Sequence, residues 1–422
     1  MVVTGKTAYA ESRYIYYLKF AVLLLSVSSI QQWLDLPVGN TFFWWLIYAS
    51  VIYCFFRLAR LNGRNTIPQV KYWMLLLSLN ALYAAFFMSE NYWDWKNLIS
   101  NLMIFSMPLA ANVFYKKERL SPILKFWLNI SWILFLFLAP FMSSDAFGRF
   151  LVPYSFLALF FPLLNKRLKV MVLLALLITI YYGMESRSDM IKFGFCMFLG
   201  CLSHWKNFFY RTDRILRFAR LVCFVLPFVF VGLGIVGIFN LFQIQEELKM
   251  KEGAYTVTDT HGEDMDMLGD TRTFLYTEVL NSAIKNKYVI QGRSIARGYD
   301  QSFFSWMLEE QFKGVHGEYR ADERAATEVS ILNIFNYFGL IGVFLYLWVF
   351  VLATKKAMYC SQNIYIKVIG LYVVFRWMFA FIEDFSRFDL NMLFLWIMIG
   401  MCYSPYWRNM NDRDIELWIK SL

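Results

Sequence analysis

The residue whose position most strongly suggests chemistry is Glu328, which stands where a long polar segment meets an apolar run. The polar segment covers roughly residues 243–326, and the apolar run covers residues 329–354. A charged side chain at the mouth of a membrane-spanning helix is costly to place, so such residues usually mark a functional site. Gly339 follows eleven positions later and opens the sequence Gly-Leu-Ile-Gly. Glu328 is therefore a candidate for accepting a proton.

Four arginines in polar parts of the chain are candidates for binding an anion. Arg272, Arg293 and Arg297 lie within the polar segment, and Arg187 lies in the short polar turn 185–189. The planar guanidinium suits bidentate contacts with phosphate. Acidic residues outnumber basic ones in the polar segment, so the alternative is that these arginines are solvated and paired with Asp and Glu.

A fifth arginine, Arg376, lies inside an apolar run, where a guanidinium needs a partner or a wet cavity. One interpretation is that Arg376 supports a phosphate site or orients Glu328. The other is a structural pair with Glu383 or Asp384, or extension of the side chain to the outer surface.

No motif of this sequence predicts a metal site or a cofactor. Asp264 and Asp266 form an Asp-Met-Asp pair, but they stand within an acidic run, which makes the pattern weakly specific. The six cysteines lie outside the polar segment and form neither a Cys-x-x-Cys pair nor a Cys/His pattern. We therefore expect no bound metal and no cofactor.

The elements that must position these residues are membrane-spanning helices. The chain is 59% hydrophobic and only 17% charged, with a mean hydropathy of +0.45. Its apolar residues form continuous blocks, and a hydrocarbon core of about 30 Å requires about 20 helical residues. We predict an all-α polytopic membrane bundle of about twelve spans: 15–34, 41–56, 72–88, 98–115, 126–143, 150–164, 170–183, 190–204, 221–241, 327–354, 363–382 and 390–404.

The distribution of Lys and Arg predicts how the bundle is oriented. Alternate connections are rich in these residues, whereas the connections between them hold few, and Lys192 is the main stray charge. Both termini are therefore expected in the cytoplasm and the polar segment outside. The net charge of +10 reflects this topology and contact with membrane lipid, not nucleic-acid binding. The predicted organisation is spans one to nine in 1–242, an external loop in 243–326, and the last spans with a tail in 327–422.

The external loop carries signs of internal order. An apolar set recurs at helical spacing, which predicts an amphipathic helix on the membrane face: Phe274, Leu275, Val279, Leu280 and Ala283/Ile284. A basic turn at 292–298 and an aromatic stretch at 303–308 follow. A loop this long is usually functional or disordered, and the interleaved aromatic residues favour order.

Taken together, these features resemble the O-antigen polymerase and O-antigen ligase superfamily. The resemblance covers roughly residues 170–355 and rests on the twelve predicted spans, the large external loop, the Ser186-Arg187 turn and the spacing from Glu328 to Gly339. Many members carry His where this chain has Glu328. Arg272 and Gly292-Arg293 match the family pattern more loosely.

The resemblance implies a GT-C-like glycosyltransferase that works without a metal at the periplasmic face of a bacterial inner membrane. Its donor and acceptor would be glycans on undecaprenyl diphosphate, with a chain-length regulator as a candidate partner. In that interpretation Glu328 is the general base, and Arg187, Arg272 and Arg293 bind the diphosphate. Arg376 and Arg297 support them.

Three functions remain open at this stage. We favour a polymerase of oligosaccharide repeat units, because Glu in place of His departs from the ligase-like pattern. A ligase that transfers glycan to lipid A-core would use the same parts. A polysaccharide transporter or flippase is the third, although the sequence shows no two halves with matching broken helices.

Overall fold

The structure is a computed structural model that describes residues 5–61, 66–183, 187–205, 211–236, 256–258, 264–266, 273–301, 320 and 322–422. It is mostly helical, at 78%, which confirms the predicted all-α class. Within the described residues, six helices are long and apolar enough to cross a membrane: Tyr9–Trp33, Thr41–Arg60, Pro68–Met88, Lys117–Phe141, Asp213–Val236 and Ser330–Cys360. The number of twelve spans stays a prediction.

The first ten helices of the described chain lie between residues 5 and 202, and several of them begin at asparagine caps. Asn40 accepts a hydrogen bond from Phe43 N, and Asn165 accepts one from Leu168 N. Such caps satisfy amides that have no partner within the helix. The helices are α1 Gly5–Ser28, α2 Thr41–Arg60, α3 Pro68–Tyr83, α4 Tyr92–Ile104, α5 Leu109–Val113, α6 Lys117–Leu138, α7 Ser144–Phe150, α8 Val152–Ala158, α9 Lys166–Tyr182 and α10 Arg187–Leu202.

The remaining elements include the helix predicted within the external loop. These are α11 Asp213–Val236, α12 Thr273–Lys285, α13 Ser330–Cys360, α14 Ile364–Phe379, α15 Leu390–Tyr403, α16 Pro405–Asn409 and α17 Asp412–Lys420. Four short strands form two antiparallel pairs, β1 Thr256–Thr258 with β2 Asp264–Asp266 and β3 Tyr299–Asp300 with β4 Glu323–Arg324. The Asp-Met-Asp pair therefore lies on a strand.

Two predicted spans are interrupted helices in the structure. Residues 98–115 contain the end of α4, a turn and the five-residue α5, whose N-cap is Pro108. Residues 150–164 contain the seven-residue α8, with Pro153 in its first turn, and a 3-10 turn that includes Pro162. Proline lacks the amide that would continue a helix, and hydropathy alone does not reveal the breaks.

The connections between helices gather at two ends of the bundle. We call one the loop end; it holds the α1–α2, α3–α4, α6–α7, α9–α10 and α14–α15 connections and the start of α13. There Ser143 N donates to Trp33 O at 2.9 Å, and Leu390 N donates to Ser29 Oγ at 2.9 Å. We call the opposite end the terminal end, where Ser404 Oγ of the α15–α16 junction donates to Tyr115 O at 2.7 Å.

The centre of the bundle is packed with aromatic side chains from α13, α14 and α15. Trp377 and Trp396 are fully buried, and their rings lie 5.6 Å from Phe350 and 5.7 Å from Tyr346 respectively. Helices on the outside of the bundle expose apolar side chains instead, such as Phe86 at 77%. A soluble protein rarely presents so much apolar surface, so these helices are suited to a lipid environment.

Candidate functional site

Helix α13 is broken at Gly339, the glycine that the sequence places eleven residues after Glu328. Gly339 has φ 62° and ψ −160°, outside the helical region. A Cβ built on it would lie 2.2 Å from Ile290 O, and one built on Gly292 would lie 2.4 Å from Phe338 N. Gly292 also has a positive φ, of 77°. Only glycine permits this conformation together with such close backbone contact.

The break is filled by the backbone of the segment that follows α12. Leu340 N donates to Val289 O at 2.9 Å, and Ile341 N donates to Ile290 O at 3.2 Å. On the other side of the break, Arg293 N donates to Asn336 O at 2.7 Å. The inserted segment thus replaces hydrogen bonds that the helix loses, as a broken helix in a low-dielectric environment requires. It also fixes part of the polar loop to α13.

Arg293 and Arg297, two of the predicted anion-binding residues, share one buried carboxylate. Arg293 Nη2 lies 2.9 Å from Glu323 Oε1, and Arg297 Nε lies 2.9 Å from Glu323 Oε2. Arg293 Nη1 also lies 2.6 Å from Asp300 Oδ1. Both arginine side chains are 12% exposed. The positive charges of the two guanidinium groups are therefore offset by the negative charges of the two carboxylates.

The pKa values in this network show the same pairing. The hydrogen bond to Glu323 raises the pKa of Arg297, while burial opposes it. Burial would raise the pKa of Asp300, but hydrogen bonds from Asn286, Arg293 and Lys285 together lower it. In this structure Arg293 and Arg297 hold the loop together, so a diphosphate would have to compete with Glu323 and Asp300 for them.

Glu328 lies just before α13, where hydrogen bonds hold the start of the helix, and its side chain is exposed. Thr327 N donates to Asn333 Oδ1 at 2.7 Å, and Asn333 Nδ2 returns a hydrogen bond to Thr327 O at 3.0 Å. The Glu328 side chain is 62% exposed, and its carboxylate lies 3.4 Å from Arg324 Nη2. The carboxylate is therefore accessible from outside the protein.

Arg376 is buried in the bundle, with 1% exposure, and does not extend to the surface. Its Nη1 donates to Asn391 Oδ1 at 2.6 Å, and the guanidinium lies 4.9 Å from the centre of the Phe385 ring. Nε and Nη2 are buried without a hydrogen-bond partner within the described residues. The hydrogen bond thus goes to Asn391 and not to Glu383 or Asp384, which were the expected structural partners.

Glu383 is instead held by α10, the helix that Arg187 opens. Ser188 Oγ and Lys192 Nζ each lie 2.8 Å from Glu383 Oε1, and Lys192 Nζ lies 2.6 Å from Asp189 Oδ1. Burial would raise the pKa of Glu383, but Lys192 and Arg376 outweigh it and hold this pKa below its usual range. The stray charge Lys192 therefore has a structural partner. Arg187 is partly buried beside this cluster.

A cleft of about 760 Å³ at the loop end is the main feature that the sequence analysis missed. Its lining combines indole rings, amides and charged groups, and includes Trp33, Trp44, Trp45, Gln31, Gln32, Asn40, Tyr48, Ala326, Asp384, Arg387 and Asp389. The signal for it was the turn 383–389, which holds four charged residues between two apolar helices. The tryptophans around the α1–α2 connection lie far away in sequence, so nothing in the chain linked them to that turn.

Asp384 joins this cleft to the start of α13. Its Oδ1 accepts hydrogen bonds from Ser386 N at 2.7 Å and from Ser330 Oγ and Asn333 Nδ2 at 3.3 Å each. Ala326, which lines the cleft, is two residues before Glu328, so one wall of the cleft is close to the candidate base along the chain. Asp389 caps α15 by accepting a bond from Met392 N at 2.8 Å, and burial raises its pKa.

An apolar groove lies between α11, α12 and α14. Its walls include Pro227 and Phe230 of α11, Leu280 of α12 and Met378 of α14. Tyr276 OH donates to Phe381 O at 2.6 Å, which fixes α12 to the end of α14. The groove is therefore bordered on one side by α12 of the polar loop and on the other by the bundle helices α11 and α14.

The amphipathic helix predicted in the loop is confirmed as α12. Of the predicted apolar set, Leu275, Val279 and Ala283 are at most 1% exposed, whereas Ile284, which was predicted as an alternative to Ala283, is 67% exposed. Three other predictions lie outside the described residues: Arg272, Ser186 of the Ser-Arg turn, and the aromatic stretch 303–308.

Comparisons with known proteins give no relative. No protein-family model, no curated protein and no solved structure matches this chain. The functional argument therefore rests on the residues and their geometry. The loop end offers a polar, tryptophan-lined cleft, an apolar groove and an exposed carboxylate, Glu328, close in sequence to a residue of the cleft.

Proposed function

We propose that this protein is a membrane glycosyltransferase that joins oligosaccharide repeat units carried on undecaprenyl diphosphate. The observation that carries the proposal is the cleft in which Trp33, Trp44 and Trp45 lie together with Asp384 and Asp389. Indole rings offer flat apolar faces with a polar edge, which suit the faces of sugar rings. Carboxylates accept hydrogen bonds from hydroxyl groups.

The lipid part of the substrate accounts for the apolar groove between α11, α12 and α14. A polyprenyl chain can lie among Pro227, Phe230 and Met378, while its diphosphate stays at the loop end. The Lys and Arg distribution supports an external loop end and a cytoplasmic terminal end. We also propose twelve crossings, in which the interrupted and shorter helices complete spans that their own length does not.

The proposed reaction needs one base and several cations. The Glu328 carboxylate takes the proton of an acceptor hydroxyl, and the hydroxyl oxygen bonds to the anomeric carbon of the donor glycan. The bond between that carbon and the diphosphate oxygen breaks, and undecaprenyl diphosphate leaves with the electron pair. Arg187 and Arg272, with Arg293 if it releases a carboxylate, offset the charge on the leaving group. Arg376 and Arg297 support this arrangement.

The proposal is tested in cells by the length of the surface glycan. With Glu328→Gln or Arg187→Ala in place of the wild type, we expect polymer synthesis to fall by about a hundredfold or more, because general-base catalysis contributes at least that much. Glu416→Gln is the matched control, since Glu416 lies on α17 at the terminal end and is paired with Lys420. Normal long-chain glycan from both site variants would contradict the proposal.

A further inference from the structure

A second pocket, of about 400 Å³, lies at the terminal end, at the far end of the bundle from the cleft. The start of α3, the α5–α6 connection, the end of α13 and the α15–α16 junction form its walls. Three cationic residues from three of these elements line it, namely Lys116, Lys356 and Arg408. Within the described residues its lining holds no carboxylate.

The three cations contact aromatic rings and carbonyl groups. Lys356 Nζ lies 4.8 Å from the centre of the Tyr403 ring, and Lys116 Nζ lies 5.1 Å from that of Tyr115. Arg408 makes only long bonds to carbonyl oxygens, of 3.4 Å to Cys360 O and 3.5 Å to Tyr403 O. Like charges brought together in this way repel each other, and an anion between them would relieve that repulsion.

A carboxylate that contacts a lining residue of the pocket already has a partner. Glu118 Oε1 accepts a hydrogen bond at 2.9 Å from the OH of Tyr406, which lines the pocket. Glu118 also borders a neighbouring cleft together with Lys116 and Glu11. Lys356 and Arg408, which come from two different helices, have no such acidic neighbour in the lining.

Two buried polar atoms at this pocket also lack a hydrogen-bond partner within the described residues. They are Thr66 Oγ1 and Arg408 Nε. A buried donor without a partner costs free energy, so such atoms usually face an unseen water, ion or ligand. Next to Thr66, Ile67 caps α3 without a side-chain oxygen, and Pro68 has no amide, so the amides of Gln69 and Val70 are the donors that the start of this helix offers to an anion.

We propose that this pocket binds a phosphate group. Lys116, Lys356 and Arg408 supply the positive charge, while Thr66 Oγ1 and the start of α3 supply hydrogen-bond donors. Basic pockets between membrane helices suit phospholipid headgroups, and a soluble phosphate compound offers the same chemistry. The site does not depend on the proposed glycosyl transfer, because it lies at the other end of the bundle.

The test compares the purified wild-type protein with Lys356→Gln/Arg408→Gln. The matched control is Lys166→Gln/Arg167→Gln, which removes the same charge from two exposed residues at the start of α9, outside the pocket. One arm uses native mass spectrometry to count phosphatidylglycerol retained after transfer from nanodiscs of phosphatidylglycerol and phosphatidylcholine. The other arm measures the shift in unfolding temperature that inorganic phosphate causes in neutral detergent.

We expect binding in at least one arm, weakened about tenfold or more in the pocket variant and unchanged in the control, since charge-assisted bonds to phosphate are strong. Loss in the lipid arm alone identifies a headgroup site, and loss in the phosphate arm identifies a site for soluble phosphate. Equal binding by both variants, or no wild-type binding in either arm, overturns the proposal. If the double variant does not fold, the single variant Lys116→Gln, at a half-buried position, gives the same comparison.

Discussion

At the residue scale, Glu323 has a role that its neighbours in sequence do not show. This carboxylate is 8% exposed and receives hydrogen bonds from both Arg293 and Arg297. The residue type of these two arginines and their place in the loop predict that they bind an anion. Their partner comes from a strand about 26 to 30 residues away, and charge composition alone could not pair them.

We predict that Glu323→Gln destabilises the protein by about 3–5 kcal/mol, because it leaves the buried Arg297 guanidinium without a carboxylate and leaves Arg293 with Asp300 alone. The unfolding free energy in detergent measures this effect. Glu90→Gln is the control: Glu90 also pairs with an arginine, Arg320, but its side chain is 67% exposed. A loss for Glu323→Gln no larger than for this exposed pair would show that the network does not hold the loop.

Glu328 and Arg376 illustrate two different limits of prediction at this scale. Glu328 was found because a carboxylate at a helix entrance is unusual, and the structure places it at the start of α13 with an accessible side chain. Arg376 was found because it stands in an apolar run. Its hydrogen-bond partner, Asn391, is an uncharged residue in the next helix, so a search for opposite charge pointed to Glu383 and Asp384 instead.

At the scale of elements, the break in α13 is the feature that connects the loop to the bundle. Gly339 and the Gly292-Arg293 turn are each recognisable in the sequence, but their contact is not. The structure shows that the backbone of residues 289–293 enters the break and forms hydrogen bonds on both sides of it. A loop without cysteines is ordered here through this backbone contact and through α12.

We predict that Gly339→Ala destabilises the protein by about 1–3 kcal/mol, because a Cβ meets Ile290 O and the positive φ is strained. Hydrogen exchange at the amides of Leu340 and Ile341 should accelerate as the segment separates from the break. Gly194→Ala is the matched control, since nothing lies within 4 Å of the position of its Cβ. Equal effects of the two changes would contradict the conclusion that residues 289–293 are held in the break of α13.

Helix lengths were the least predictable property of the elements. The apolar runs at 98–115 and 150–164 look continuous by composition, yet the structure divides them at Pro108 and around Pro153 and Pro162. Conversely, α12 was predictable because its buried residues repeat every four positions within a polar segment. Periodicity identified a helix better than hydropathy identified its ends.

At the scale of the whole molecule, the two ends of the bundle are predicted to face opposite sides of a membrane. The exposed cysteines Cys201 and Cys360 lie at the terminal end. In intact cells a membrane-impermeant maleimide should leave both unlabelled, whereas Ala326→Cys, introduced into a variant lacking those two cysteines, should react. Labelling in the reverse order would contradict the proposed orientation and would move the cleft to the cytoplasmic side.

The cleft belongs to this scale as well, since it exists only in the assembled bundle. Its tryptophans come from the α1–α2 connection and the first turn of α2, its acidic residues from the α14–α15 turn and Ala326 from the loop. No local pattern links segments more than 300 positions apart in the sequence. The amino-acid sequence was enough to propose the general function. The surface that would hold the sugars could be recognised only in the three-dimensional structure.

The central claim, glycosyl transfer at the loop end, is tested most directly by the purified protein. The measurement is the rate at which it extends undecaprenyl-diphosphate-linked repeat units in detergent, resolved by product length. We predict ladders of multiple repeats from the wild type and a rate lower by about a hundredfold or more for Glu328→Gln, consistent with loss of a general base. No extension by the folded wild-type protein, or equal rates for the two proteins, would contradict the account.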